Sequence, residues 1–96
     1  GPRGFPSYFP YIKQKAQSSW FEGYTSAQLR ILRNTIYALH GYNFKSEDLK
    51  KLFTEWGQNW IIKYKVNPNF SEDDLSEIEK YNINFILAEE KRRQKE

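Results

Sequence analysis

Residues 29–44 read LRILRNTIYALHGYNF, and the spacing within this stretch decides the fold. Four apolar residues recur at intervals of three and four positions: Leu29, Leu32, Ile36 and Leu39. On a helix these positions fall within an arc of roughly 80°, which is one apolar face. Gly41 can adopt the left-handed conformation that ends a helix. The stretch therefore predicts an amphipathic helix that faces a core and ends near His40.

A polar ridge runs beside this apolar face. Arg33, Tyr37 and His40 are spaced by four and three residues, so their side chains can meet. In a structural interpretation they lock the helix to the loop after Gly41, with Arg33 donating to a carbonyl or carboxylate and Asn82 joining the network. In a functional interpretation they line a pocket for an anionic or polar ligand, such as a peptide carboxylate or a cell-wall fragment.

Residues that can cap helices mark where each helix begins. Thr25 or Ser26 is expected to cap the first helix, and Ser46 the second. The second helix then repeats apolar residues at helical spacing: Leu49, Leu52, Phe53, Trp56 and Trp60. Gly57 is expected to end or kink it.

The last helix is expected to open at Ser71, with Asp74 completing a box-like cap. Its inward stripe comprises Leu75, Ile78, Asn82, Phe85 and Ile86. Because Asn82 is polar at a core position, we expect its amide to be hydrogen-bonded. Residues 61–66 are interpreted as an extended connection, and residues 67–69, Asn-Pro-Asn, as a turn.

Seven aromatic residues lie within residues 5–24. Early prolines break regular structure, and residues 12–20 are expected to form a short helix. The aromatic content favours an N-terminal segment laid over the helical core. The alternative is an exposed aromatic surface for a partner. Gly1-Pro2 resembles a protease-cleavage scar and is left out of fold reasoning.

Composition indicates a single small domain. The chain has 96 residues, 18% of them aromatic, with no methionine and no cysteine, so the core must be aromatic and aliphatic. Its mean hydropathy is -0.86, and no apolar run approaches the roughly 20 residues of a membrane span. We expect a monomeric all-α domain of three main helices plus an aromatic-rich N-terminal segment. No signal peptide is present, although the chain could be part of a longer exported protein.

The sequence predicts neither a metal, nor a cofactor, nor a catalytic group. His40 is the only histidine, and without cysteine it lacks a partner for a tight metal site. The capping position of Ser46 explains that residue without nucleophilic catalysis. Acidic residues are explained as helix-start or surface positions: Glu47, Asp48, Glu55, Asp73, Asp74 and Glu79. We therefore expect no enzymatic activity.

A nucleic-acid-binding surface is the rival hypothesis. It would use basic residues with aromatic stacking platforms: Lys45, Lys50, Lys51, Lys63, Lys65, Trp56, Trp60 and Tyr64. Glu47, Asp48 and Glu55 are interleaved with these lysines, which weakens any one-sided positive field. The net charge of +3 owes much to the run Lys91-Arg92-Arg93-Gln94-Lys95, which is typical of a solvated helix end.

The stretch LRNTIYALHGYNFKSEDLKKLF, residues 32–53, resembles the YARHG domain, a small bacterial module with a Tyr-Ala-Arg-His-Gly signature. Tyr37, Ala38, His40 and Gly41 match the signature, whereas Leu39 stands where the family usually has arginine. Agreement continues at Leu29, Arg33, Asn34, Ile36, Tyr42, Phe44, Tyr64, Asn67, Pro68, Phe70, Ser71, Leu75, Glu79, Asn82 and Ile83. If the family's arginine contacts a ligand, Leu39 alters that contact; if it is structural, Leu39 joins the apolar face.

The resemblance covers about residues 24–86 and implies an extracytoplasmic location, at the bacterial cell surface or in the periplasm. It also implies attachment to a cell-envelope protein and no established enzymatic activity. Because the sequence has surplus aromatic residues and a polar ridge but no catalytic constellation, we expect a non-enzymatic interaction module that binds a protein or peptidoglycan-type ligand. A nucleic-acid-binding domain and a purely structural domain are the alternatives. We divide the chain into an N-terminal arm at 1–23, a YARHG-like helical domain at 24–87 and a charged helical tail at 88–96.

Two sets of candidate residues follow from the ridge and the resemblance. The candidate ligand-binding residues are Arg33, Tyr37, His40, Trp60 and Tyr64. The candidate structural residues of the motif are Asn34, Gly41, Tyr42, Phe44, Pro68 and Asn82.

Overall fold

The structure, a computed structural model, describes residues 10–56 and 64–95. Its elements are 3-10 helices at Pro10–Ile12 and Ser18–Phe21, helix α1 (Ser26–Leu39), helix α2 (Glu47–Trp56), a 3-10 helix at Glu72–Asp74 and helix α3 (Glu77–Gln94). These described residues contain no strand. The predicted all-α fold with three main helices is confirmed.

Helix α1 begins and ends as its sequence predicts. The Thr25 hydroxyl accepts a hydrogen bond from the Gln28 amide at 3.1 Å, and the Gln28 side chain accepts one from the Thr25 amide at 2.9 Å, forming a capping box. After the helix, Gly41 has a φ of 78°. A Cβ at this position would lie 2.6 Å from the Lys65 carbonyl oxygen and 2.7 Å from the Asn67 nitrogen. Both the backbone conformation and the close approach therefore require glycine here.

The apolar face of α1 is shorter than predicted. Leu29, Leu32 and Ile36 are buried, but Leu39 retains 38% of its accessible surface. The prediction that Leu39 joins the apolar face is wrong. The helix ends at Leu39, and the preceding residue, Ala38, occupies the buried position instead.

The main core lies between α1, α3 and the N-terminal segment, and Asn82 of α3 ties that segment down. The Asn82 amide group donates to the carbonyl oxygens of Tyr11 at 2.7 Å and Gln14 at 2.8 Å. Its side-chain oxygen accepts from the Ala16 amide at 2.8 Å. The predicted hydrogen bonding of Asn82 is confirmed, but its proposed place in the Arg33 network is wrong, because all three partners lie in the N-terminal segment.

The described part of the N-terminal segment, residues 10–24, covers the core as predicted, through Tyr11, Ala16 and Phe21, which are all buried. Residues 5–9 lie outside the described residues, and so does the prediction made for them. The single helix predicted over residues 12–20 is wrong, since two 3-10 helices flank an irregular stretch. The bonds from Asn82 explain the irregularity, because they occupy backbone groups that a continuous helix would pair internally.

The start of the last helix also differs from the prediction. Ser71 and Asp74 do form a capping box, but it opens the single turn Glu72–Asp74. Leu75 then adopts an extended backbone conformation and is buried, and Ser76 caps α3 in a second capping box with Glu79. Helix α3 therefore begins at Glu77, after the separate turn Glu72–Asp74, and the predicted start at Ser71 is wrong.

Helix α3 continues through the predicted boundary at residue 88 to Gln94. Arg93 donates to the carbonyl oxygens of Tyr24 at 2.9 Å and Phe21 at 3.0 Å. Glu89 forms ion pairs with both Arg92 and Arg93. Arg93 therefore binds the N-terminal segment, and the prediction that it belongs to a solvated helix end is wrong. The domain limits themselves stay a prediction.

Helix α2 is attached through a second, smaller cluster: Ala38, Phe44, Leu49, Phe53 and Tyr64. The rings of Phe44 and Phe53 stack with centroids 4.9 Å apart. The helix begins directly after Ser46, whose carbonyl accepts from the Lys50 amide at 3.0 Å. Gly57, Trp60 and residues 61–63 lie outside the described residues, and so do the predictions made for them.

The predicted turn at residues 67–69 is confirmed. The Phe70 amide donates to the Asn67 carbonyl at 3.1 Å, and the Asn69 amide donates to the Asn67 side chain at 3.0 Å. The Asn67 amide in turn donates to the Gly41 carbonyl at 2.8 Å. This bond joins the turn to the end of α1 and brings Phe70 beside the polar ridge.

Candidate functional site

An open depression of about 220 Å³ lies beside the polar ridge of α1. Its lining residues are Arg33, Asn34, Tyr37, Tyr42 and Glu72, and we refer to it as the ridge depression. Helix α1 supplies the first three, the chain after Gly41 supplies Tyr42, and the 3-10 helix before α3 supplies Glu72. The depression is thus built where three parts of the chain meet.

Arg33 is held by a buried carboxylate from α3. Its Nε lies 2.5 Å from Glu90 Oε2, and its Nη2 lies 3.1 Å from Glu90 Oε1. The exposed fractions of the two side chains are 20% for Arg33 and 5% for Glu90. This two-point pair balances the guanidinium charge and fixes its plane. The remaining amino group, Nη1, has no hydrogen bond within residues 10–56 and 64–95.

Tyr37 and Tyr42 flank the depression with aromatic rings. Their centroids are 5.5 Å apart, and the Phe70 ring supports both, at 6.2 Å from Tyr37 and 5.8 Å from Tyr42. Burial raises the pKa of the Tyr37 hydroxyl, and the Glu72 carboxylate raises it further, while Arg33 acts in the opposite direction. Neither tyrosine hydroxyl donates or accepts a hydrogen bond within the described residues.

Asn34 lines the depression with a side chain that has one unused acceptor. The residue is only 8% exposed, and its amide group donates to the Arg30 carbonyl at 2.8 Å. Its side-chain oxygen, Oδ1, has no partner in the part of the chain that the structure describes. Because the depression is open, this oxygen is an acceptor that a ligand can use.

His40 lies at the end of α1 and binds α3 instead of lining the depression. Its Nε2 is 2.8 Å from Oε2 of Glu79, a buried residue. The other Glu79 oxygen accepts from the Ser76 amide at 2.8 Å as part of the α3 cap. The His40 ring also lies 6.1 Å from Phe70. This geometry gives His40 a structural contact between the end of α1 and the start of α3.

The other two candidate ligand residues, Tyr64 and Trp60, are not among the described residues that line the depression. Tyr64 is buried in the second cluster, and its hydroxyl donates to the Tyr42 carbonyl at 2.6 Å. Trp60 lies outside the described residues. Of the five candidates, the structure therefore brings Arg33 and Tyr37 together and places His40 and Tyr64 elsewhere.

Three residues of the depression were not predicted as ligand-binding. Asn34 and Tyr42 were assigned structural roles, although Asn34 lies three positions from Tyr37 on α1, a spacing that places the two side chains on one face. Glu72 comes from a distant part of the chain, and no local pattern connects it with α1. Glu90, the partner of Arg33, lies in a charged run, and no local pattern distinguishes it from its charged neighbours.

The described residues hold no group of three or more histidine, aspartate or glutamate side chains that could bind a metal ion. Their helices include none that is long and apolar enough to cross a membrane. Tyr64 is also a poor platform for a nucleic-acid base, because its ring is buried.

The fold and the depression define a small all-α domain with a polar hollow flanked by aromatic rings. A model of the YARHG domain matches residues 7–91, and the chain belongs to the YARHG domain family. This family is generally extracytoplasmic and non-catalytic. No curated protein and no solved structure gave a significant match.

Proposed function

We propose that this chain is a non-enzymatic interaction module of an extracytoplasmic bacterial protein, and that it binds a protein or cell-wall ligand at the ridge depression. One observation carries the proposal. The Asn34 side chain lines the depression, and no described residue donates a hydrogen bond to its Oδ1. A ligand N–H or O–H group would supply the missing hydrogen bond.

The rigidity of the surroundings supports this proposal. Glu90 fixes Arg33 from behind, and Phe70 packs against the rings of both tyrosines. Binding therefore requires little ordering of side chains, which reduces its entropic cost. His40 and Tyr64 act indirectly in this account, by holding the elements that carry Tyr37 and Tyr42.

Two alternatives have weaker support. A purely structural domain would explain the Arg33–Glu90 and His40–Glu79 pairs but gives no role to the unused polar atoms that line the depression. A nucleic-acid surface would need one-sided positive charge, whereas Glu47, Asp48 and Glu55 are exposed among the lysines of α2.

The test is an NMR titration of the ¹⁵N-labelled chain with soluble peptidoglycan fragments and with envelope protein extract. The proposal expects shifts at Arg33, Asn34 and Tyr37, reduced in Tyr37→Phe. Tyr81→Phe is the matched control, since Tyr81 is exposed and lies on α3 away from the lining residues. Shifts confined to residues 10–24 would place the binding surface elsewhere, and hydrolysis of a fragment would overturn the non-enzymatic assignment.

A further inference from the structure

The charges around the ridge depression select against an anionic ligand. Among the described residues, Arg33 is the only cation that lines it, and Glu90 already balances that charge through two hydrogen bonds. Glu72 has no ion pair with any described residue, so its negative charge is uncompensated. A ligand carboxylate or phosphate would therefore meet a neutralised guanidinium and an unpaired carboxylate.

The unused polar atoms of the depression are a mixture of donors and acceptors. The donors are Arg33 Nη1 and the hydroxyl groups of Tyr37 and Tyr42. The acceptors are Asn34 Oδ1 and the Glu72 carboxylate. A ligand hydroxyl group donates one hydrogen bond and accepts others, so a neutral compound rich in hydroxyl groups can pair with both kinds of atom.

Shape and apolar surface agree with a ring-shaped ligand. The two tyrosine rings, with centroids 5.5 Å apart and planes inclined by 55°, present apolar surface beside the polar atoms. The depression, at about 220 Å³, is smaller than the pockets of roughly 300–1,000 Å³ that hold drug-sized ligands. It therefore has room for one ring of a longer molecule.

We propose that the ridge depression recognises a neutral saccharide unit, with hydroxyl groups that donate to Asn34 and Glu72 and accept from Arg33 and the two tyrosines. This inference rests on the proposed function, since it names the ligand class of the same depression. It replaces the peptide carboxylate that the isolated Arg33–Tyr37–His40 pattern had suggested.

The experiment compares two probes of similar size by NMR titration of the ¹⁵N-labelled chain: neutral trisaccharides (chitotriose and cellotriose) and trigalacturonic acid. We expect a neutral trisaccharide to shift Asn34 and Tyr37 and to bind at least about fivefold more tightly than the uronic acid. Glu72→Gln should reduce this preference, because it removes the repelling charge. Glu77→Gln, an exposed carboxylate on α3 outside the depression, should leave the preference unchanged.

Removing single polar atoms provides the second readout. Tyr37→Phe and Tyr42→Phe keep their rings and lose only a hydroxyl group, so each should weaken saccharide binding about fivefold. Tyr81→Phe should bind as the unaltered chain does. Circular dichroism of each variant checks that the helices are intact.

Two results would overturn the saccharide assignment. One is equal or tighter binding of the uronic acid, and the other is the absence of shifts with both neutral trisaccharides. If peptidoglycan fragments still shift Asn34 and Tyr37 in either case, the proposed function stands and only the ligand class is wrong. If neither the saccharides, nor the peptidoglycan fragments, nor the envelope protein extract shifts these residues, the proposed function fails as well.

Discussion

Glu90 and Arg33 lie 57 positions apart in the chain, yet Glu90 Oε2 is 2.5 Å from Arg33 Nε. The pair joins α3 to α1 directly behind the ridge depression. It also explains why Arg33 can be charged and still leave the depression without net positive charge. The same contact therefore serves the stability of the fold and the selectivity that we propose for the ligand.

Breaking this pair from one side should be costly. Glu90→Gln leaves a half-buried guanidinium without its counter-charge but keeps one side-chain oxygen as an acceptor, and we expect a loss of about 1.5–3 kcal/mol in the free energy of unfolding. Urea denaturation measures this loss. Glu77→Gln on the same helix is the control, because its side chain is exposed, and it should change stability by about 0.5 kcal/mol or less. Equal stability of the two variants would contradict the role assigned to Glu90.

Replacing Asn82 should release the N-terminal segment. Asn82→Ala leaves two carbonyl oxygens and one amide of that segment without partners, so we expect a loss of about 3 kcal/mol or more. Hydrogen exchange of the Ala16 amide should accelerate specifically. Asn84→Ala, at an exposed position of α3, is the comparison. Unchanged exchange at Ala16 in Asn82→Ala would argue against the predicted release.

The two glycines with positive φ should respond differently to alanine. Gly23 and Gly41 have φ values of 81° and 78°, so both substitutions carry the cost of about 1–2 kcal/mol for a left-handed residue. Only Gly41→Ala adds a clash, because a Cβ at Gly23 meets nothing within 4 Å. We therefore expect Gly41→Ala to be clearly the more destabilising in thermal unfolding, and a reversed order would refute the close approach of Lys65 and Asn67.

Stability should fall at alkaline pH. Burial raises the pKa of Tyr11 to about 12 from its ordinary value of 10.0, and burial also raises the pKa of Tyr37 and Tyr64. Because the folded-state pKa is the higher one, the stabilisation is complete below pH 10 and is lost as the pH rises towards 12. For Tyr11 this loss is at most about 3 kcal/mol.

Denaturant unfolding across this alkaline range measures the effect. Tyr11→Phe cannot ionise, so its stability should decline less steeply than that of the unaltered chain, whereas exposed Tyr81→Phe should follow the unaltered chain. The burial account of Tyr11 would be wrong if the two variants declined in parallel.

Local patterns predicted the helices well, and distant contacts explain where they failed. The capping box at Thr25 and the glycine that ends α1 depend on neighbouring residues, so the sequence was sufficient to place them. The start of α3 was misplaced because Ser71 and Ser76 both form capping boxes, and only the burial of Leu75 separates the two turns.

The candidate site could be predicted only in part, because some of its residues come from distant positions in the chain. Arg33 and Tyr37 were recognisable from their spacing on one helix. Their partners Glu90 and Glu72 come from remote positions, and no periodicity links those positions to α1. The orientation of His40 towards Glu79 likewise depends on how α3 packs, which the pattern of α1 alone does not determine.

The central claim is that the unpaired oxygen of Asn34 belongs to a binding site, and the affinity of Asn34→Ala tests it most directly. The variant should lose no more than about 1 kcal/mol in the free energy of unfolding, because the higher helix propensity of alanine offsets much of the lost bond to Arg30. Titrated with soluble peptidoglycan fragments, it should bind at least about fivefold more weakly than the unaltered chain. Undiminished binding by a folded Asn34→Ala chain would contradict the account.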